Sequence, residues 1–368
     1  MILNGQLAHN RRFRLTAGLC LAGLALFTLL RHSHKLPTPQ AAAFSRSPDS
    51  LQPVANLPPP TFAWSQQEVD SLSQYEAHNY PNRDGHTFAT LLCTRDPSAD
   101  DIYLLATRAL IYHFLWRTES KSPNRPFTVF VAPFVPQWKR DILMAEGARV
   151  IEIPLIEMTP KVTNFNSERW KDQFTKLNMW NQTQFKKIVY FDSDAFPIHH
   201  VDELFDLTPT QHCNEGLLPP EDRPYTKQIC DYIFAGVPIL NQPEVGVNGG
   251  LLIFSPEVRM HQRLLRMAPQ MDSYDSELME QGLVEWAFGY KSSFPARQLP
   301  RKWNGVFPSG DEEHTLNVIH QKIWNKQYDE EGLGWATKMW DQSWEEMSRF
   351  YRSPKFLAVR RKDGLRKA

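Results

Sequence analysis

Ile188-Val189-Tyr190-Phe191-Asp192-Ser193-Asp194 runs an apolar strand directly into two carboxylates spaced i, i+2. In extended chain both aspartates point to one side. Two hard, anionic oxygen donors at the carboxyl end of a strand suit a divalent cation that bridges a diphosphate. The same residues also read as an acidic turn, or as a cap for a helix over Val201 to Leu207.

Upstream, short apolar runs alternate with helical patterns. Thr87 to Thr94, Phe127 to Ala132 and Val150 to Ile153 read as strands; Asp101 to Arg117, Gln137 to Gly147 and Glu168 to Gln184 read as helices. That alternation implies βαβ units and a parallel sheet covered on both faces, an α/β fold with ligands beyond the carboxyl ends of its strands. Downstream, a glycine-rich strand (Gly246 to Phe254) and helices from Pro256 and Asp275 continue the α/β pattern into a half that bears a lid. There is no internal repeat and no glycine-rich phosphate loop of either usual kind.

Composition narrows the class. The 368 residues carry 41 Lys+Arg against 41 Asp+Glu, so no basic excess points to nucleic acid. A mean hydropathy of −0.46 excludes a polytopic membrane protein but allows a single pass. That pass is expected at 15–30, an uncharged run preceded by Arg11, Arg12 and Arg14 and closed by Arg31 and Lys35. About 16 residues at ~1.5 Å rise span roughly 24 Å, enough with flanking residues or a thin early-secretory membrane. The arginine bias puts residues 1–14 on the cytoplasmic side. A cleaved signal with Ala41 and Ala43 at the cut is the competing reading, although those alanines lie far past the apolar run. Residues 31–60, rich in proline, read as an extended stem, 61–350 as the folded domain and 351–368 as a solvated basic tail. The chain is therefore expected to be a single-pass type II protein of the Golgi or another secretory-pathway membrane, with its domain in the lumen. Cys93 reads as a buried free thiol; Cys213 and Cys230 bracket a polar loop and read equally as a bridge or as two thiols.

Two unrelated enzyme groups use D-x-D after a strand. Haloacid-dehalogenase-like phosphatases carry it on their first strand; metal-dependent nucleotide-sugar transferases place it after a complete nucleotide-binding half, as here. The wider pattern makes the choice. Phe174-Thr175-Lys176-Leu177-Asn178-Met179-Trp180 through Asp194, then Val201-Asp202-Glu203-Leu204-Phe205-Asp206, resembles glycosyltransferase family 8, the glycogenin-like enzymes. Val247-Asn248-Gly249-Gly250-Leu251, Glu280-Gln281-Gly282 and Ile319-His320 with Lys322 and Trp324 match further family blocks in order. The overall flavour resembles fungal members described as glucose N-acetyltransferase-like.

The resemblance implies a GT-A fold, a Rossmann-like mixed sheet flanked by helices, and retaining transfer of a hexose or N-acetylhexosamine from a UDP-sugar to a glycan or glycoprotein, with Mn2+. It makes Asp192, Asp194 and His320 the metal ligands and Lys322 a diphosphate contact. It sets Lys176 near the donor sugar and diphosphate, and Gln281 at the anomeric centre. Asn248, Gly249, Gly250, Asp275 and Glu280 fall at the donor sugar, and Thr94, Arg95 and Tyr103 at the uracil. Two departures stand out: the family's D-Q-G is E-Q-G here, and the last segment lacks the usual glycine and proline. The sequon Asn181-Gln182-Thr183 falls inside the expected helix beside the site, so it is expected to stay unmodified. Trp335, Trp340 and Trp344 read as core packing rather than an acceptor platform. The rival readings are a catalytically silent transferase-like binding or scaffold protein, and a D-x-D phosphohydrolase.

Overall fold

Side chains that alternate along the central strands from His86 onward enter two separate apolar cores, one on either face of a seven-stranded sheet. The computed structural model describes residues 62–80, 84–158, 168–239, 246–329 and 332–366, all within the unit Ala55–Ala368. The expected cytoplasmic tail, anchor and stem lie outside the described residues; among those described, no helix is long and apolar enough to cross a membrane.

The strands are β1 (His86–Leu92), β2 (Phe127–Val131), β3 (Arg149–Glu152), β4 (Lys187–Phe191), β5 (Ala195–Pro197), β6 (Gln211–His212), β7 (Asp231–Tyr232), β8 (Phe234–Pro238), β9 (Val247–Phe254), β10 (Arg297–Gln298), β11 (Gly305–Val306) and β12 (Val318–His320). The central order is β10-β8-β9-β4-β1-β2-β3. Strands β1 to β4 pair in parallel, as the βαβ reading expects, but β9 runs antiparallel to both β4 and β8, so the sheet is mixed. A small sheet, β11-β12-β5, stands beyond the end of β4.

Phe88, Val189, Phe191, Leu251 and Ile253 face a core shared with α2 (Ile102–Leu115) and the C-terminal helices, whereas α1 (Gln66–Leu72) and α3 (Gln137–Ala145) add Leu72 and Leu143 to it. Ala89, Ile188, Tyr190, Leu252 and Phe254 face the other core, closed by residues of Glu168–Asn181 and of three helices: α4 (Thr226–Ile229), α5 (Val258–Met267) and α6 (Glu280–Phe288). Glu168–Asn181 is wound as 3₁₀ turns, not as the expected α-helix over 168–184. Its polar side chains explain the tether: Thr175 Oγ1 accepts from the Ile156 N–H at 3.1 Å, and Asn178 Nδ2 donates to the Pro154 carbonyl at 2.7 Å.

The basic C-terminus is the clearest correction. Instead of a solvated tail, α7 (Gly334–Tyr351) is followed by α8 (Pro354–Lys362), which buries Phe356 and Arg360 completely. One helical turn separates those two residues, so both face inward. The Arg360 guanidinium donates to the carbonyls of Glu76 and Met144 and pairs with Asp363. Counting charges missed this because a planar fork of donors can be satisfied by backbone carbonyls. Trp340 and Trp344 are core residues, as expected. Cys213 and Cys230 are disulfide-bonded, and Cys93 is a half-buried free thiol.

Candidate active site

The site is built where β4 ends. Strand geometry stops at Phe191, and Asp192 to Asp194 form a tight turn closed by the Ala195 N–H donating to the Asp192 carbonyl at 2.9 Å. The two aspartates are therefore brought round by a turn and not by the alternation of extended chain. The next residues form β5, which pairs antiparallel with β12 so that Ala195 lies opposite His320. The Gln321 N–H donates to the Asp194 carbonyl at 3.0 Å and completes the clasp. Asp192, Asp194 and His320 thus offer three ligand atoms within 4.8 Å of one another, each residue half-buried. Two carboxylates and an imidazole suit a divalent transition ion.

Electrostatics binds this trio together. Burial opposes charge on Asp194, but His320 and then Lys322 outweigh it and hold the carboxyl at about 2. His320 Nε2 lies 3.3 Å from Asp194 Oδ1, and although burial disfavours its charge, Asp194 raises its pKa. Tyr190, two residues before Asp192 and still within β4, donates to Asp192 Oδ1 at 2.5 Å. Lys176, from the 3₁₀ segment, donates to Asp192 Oδ1 at 3.1 Å and to Glu280 Oε1 at 2.6 Å. Burial disfavours the Lys176 charge, yet Asp192 and Glu280 together keep it firmly protonated.

The second wall comes from β9 and α6. β9 is antiparallel to β4, so its beginning lies beside the end of β4, and the Gly250 carbonyl accepts from the Asp192 N–H at 2.9 Å. Gln281 Oε1 accepts from the Gly249 N–H at 3.0 Å and Asn248 Nδ2 at 3.2 Å, and its Nε2 donates to Glu285 Oε1 at 2.9 Å. The Gln281 amide is thereby fixed in one orientation. Burial raises Glu285 to about 7, only partly offset by the bond from Gln281. Gly250 is glycine for a reason of space: a Cβ there would stand 2.5 Å from His320 Nδ1 and 2.8 Å from Nε2.

Not all the expected residues converge as closely. Asp275 is exposed, and its carboxylate caps the short turn Ser276–Leu278 by accepting from the Glu277 N–H at 3.0 Å. Thr94, Arg95 and Tyr103 gather at the end of β1. Arg95 forks onto Asp172 at 2.7 and 2.9 Å and reaches Glu157, so its guanidinium is already engaged by carboxylates. Tyr103 meets Trp324 edge-on at 6.2 Å, which joins the β1 end to the segment carrying His320 and Lys322. The long spacing between Thr94 and Tyr103 has a cause in Asp101, a buried carboxylate paired with buried Lys139 at 2.6 Å and accepting the Tyr103 N–H at 3.0 Å.

Sequence reading missed Tyr190, Asn304, Glu285 and Asp101. Tyr190 was legible from the period of two along β4, and Asp101 as an acidic residue just before an apolar helix. Asn304 was not legible at all. It is fully buried, accepts at Oδ1 across 3.0 Å from His320 Nδ1 and donates from Nδ2 to Asn248 Oδ1 at 2.9 Å. That arrangement leaves His320 Nε2 as the ring nitrogen facing the aspartates.

The mixed α/β sheet thus gathers two carboxylates and an imidazole at the end of a central strand, a donor set that can hold a divalent ion. No protein-family model matches the chain. An uncharacterized protein of Schizosaccharomyces pombe is 27% identical over 312 residues, covering 75% of this chain and 82% of its own. Galactinol synthase 6 of Arabidopsis thaliana is 27% identical over 152 residues, 39% of this chain and 45% of the synthase. Glycogenin of Neurospora crassa is 28% identical over 151 residues, 40% of this chain and 18% of the glycogenin. The resemblance to glycosyltransferase family 8 read from the motifs therefore stands, and this chain's relatives include glycosyltransferases.

Proposed function

We propose that this protein is a retaining glycosyltransferase that moves a hexose or N-acetylhexosamine from a UDP-sugar to a glycan or glycoprotein. We further propose that it is held by a single N-terminal pass in a Golgi or other secretory-pathway membrane. The observation that carries the catalytic reading is the convergence of Asp192, Asp194 and His320, from two segments far apart in sequence, within 4.8 Å. Their donor set fits Mn2+, which when bound would offset the charge of a UDP diphosphate.

The remaining roles belong to the chain's own groups. Lys322, whose charge already reaches Asp194, stabilises the departing diphosphate. Gly249 and Gly250 keep the floor free of side chains, and Asn248 meets a sugar hydroxyl. Gln281, its amide locked by Glu285 and the Gly249 N–H, faces the anomeric carbon. Lys176 holds Asp192 and Glu280 in register. The sugar–diphosphate bond breaks toward an oxocarbenium-like centre, the acceptor hydroxyl attacks from the same face, and its proton passes to the leaving phosphate.

Titration calorimetry with UDP and Mn2+, followed by turnover of UDP-glucose, UDP-galactose and UDP-N-acetylglucosamine, tests this reading. Metal-dependent UDP release that Asp194→Ala abolishes, with the fold intact, supports it. Near-normal release in that variant overturns it. UDP binding without turnover would instead indicate a silent scaffold, and phosphate release from aryl phosphates with Mg2+ a phosphohydrolase.

A further inference from the structure

Asn181-Gln182-Thr183 is the single N-x-[ST] sequon in the sequence, and the structure overturns the reason for expecting it to stay silent. Asn181 is not inside a helix beside the site but is the last residue of the 3₁₀ segment Glu168–Asn181. The chain then turns, with the Thr183 N–H donating to the Asn181 carbonyl at 3.0 Å and the Phe185 N–H to the Gln182 carbonyl at 3.0 Å. Asn181 and Thr183 are both exposed, and among the described residues neither side chain makes a hydrogen bond. The turn is pinned from behind by buried Phe185 and by the Lys186 N–H donating to the Gly85 carbonyl at 2.8 Å.

Position matters as much as exposure. The sequon turn feeds the amino end of β4, whereas Asp192 leaves its carboxyl end. A strand of this length puts about 17 Å between the two ends. A bulky polar group on Asn181 therefore stands on the rim away from the catalytic cleft, against solvent, and displaces no packed side chain. The cysteines point to the same compartment. Cys213 and Cys230 are joined, and bonded cysteines persist where the surroundings are oxidising. The remaining described thiol, Cys93, is pushed by burial up to about 12, so it supplies no thiolate to scramble that bond.

We propose that Asn181 is an N-glycan acceptor site. The amide nitrogen Nδ2 would attack the anomeric carbon of an oligosaccharide carried on a polyprenyl diphosphate. One C–N bond forms as the sugar–phosphate C–O bond breaks; the diphosphate leaves on its lipid carrier, and the amide proton passes to a base of the transferring enzyme. This assignment rests on the luminal placement proposed above and not on the sugar-transfer chemistry.

The test uses the full chain, expressed in a eukaryotic secretory host with a C-terminal tag. Digestion with a peptide N-glycanase should lower its apparent mass in one discrete step and convert Asn181 to aspartate in the peptide map. Asn181→Gln and Thr183→Ala should each remove that step, while UDP-sugar turnover stays at the wild-type level. Protease protection of the tag in intact microsomes reads the side of the membrane independently. A protected chain without the step overturns the glycan site and leaves luminal placement standing; an accessible chain without it overturns both. A step that persists in Asn181→Gln also refutes the assignment.

Discussion

Gly250→Ala places one methyl group against the imidazole of His320. Gly250 does not sit at a positive φ, so its backbone accepts alanine without strain. The obstacle is the ring, whose Nδ1 would lie 2.5 Å from the new Cβ. Ordinary contact needs ~3.5 Å and the ring's Cε1 would stand nearer still, so one partner must move by about 1.5 Å. The strand cannot retreat, because β9 lies between β8 and β4 and the Gly250 carbonyl holds the Asp192 N–H at 2.9 Å. His320 must yield, breaking its 3.0 Å contact with Asn304 and turning Nε2 away from Asp194. Loss of outer support alone costs a metal site ~10–100-fold, so displacing a ligand should weaken Mn2+ binding by at least about that factor. Overpacking should also lower folding stability by ~1–3 kcal/mol. Calorimetric titration with Mn2+ in the presence of UDP reads the first quantity, and urea unfolding the second. Gly249→Ala is the contrast: its Cβ would meet Gln281 Oε1 at 3.3 Å, a contact that a shift of tenths of an ångström relieves without touching His320, so metal affinity should hold. Wild-type Mn2+ affinity in Gly250→Ala would refute the reasoning that His320 is a ligand.

Two further outcomes follow from the same geometry. Asn304→Ala removes both the acceptor at His320 Nδ1 and the donor to Asn248, and should weaken Mn2+ binding by ~10–100-fold in calorimetry; unchanged affinity would mean the His320 tautomer needs no such partner. Lys176→Met leaves Glu280 and Asp192 facing one another without their cation, and should destabilise the protein by about 3 kcal/mol, less than a wholly buried pair because Asp192 is 29% exposed. Adding Glu280→Gln should restore part of that loss; urea midpoints in which the single variant matches wild type would show the lysine to be dispensable for folding.

Local pattern carried the sequence a long way. Apolar runs between helical patterns are enough to identify β1, β2 and β4, because a strand buried on both faces reads as a nearly continuous apolar run. Asp192 and Asp194 were legible because charge directly after such a strand must find either solvent or a cation. Antiparallel β9 was not legible, since direction is decided by which neighbour a strand pairs with and leaves no mark in its own residues. Arg360 was misjudged for a related reason: a guanidinium is read as solvated until backbone carbonyls are known to surround it.

Residue order alone established the α/β class, the pair of carboxylates after β4 and a set of motif-borne candidates from Thr94 to Lys322. Only tertiary structure decided that β12 pairs with β5 to swing His320 onto the aspartates, that Asn304 holds its far nitrogen, and that Asn181 faces solvent at the opposite rim. Those outcomes depend on contacts between segments distant along the chain. Such contacts follow from how two cores close on one sheet, a property no single segment carries.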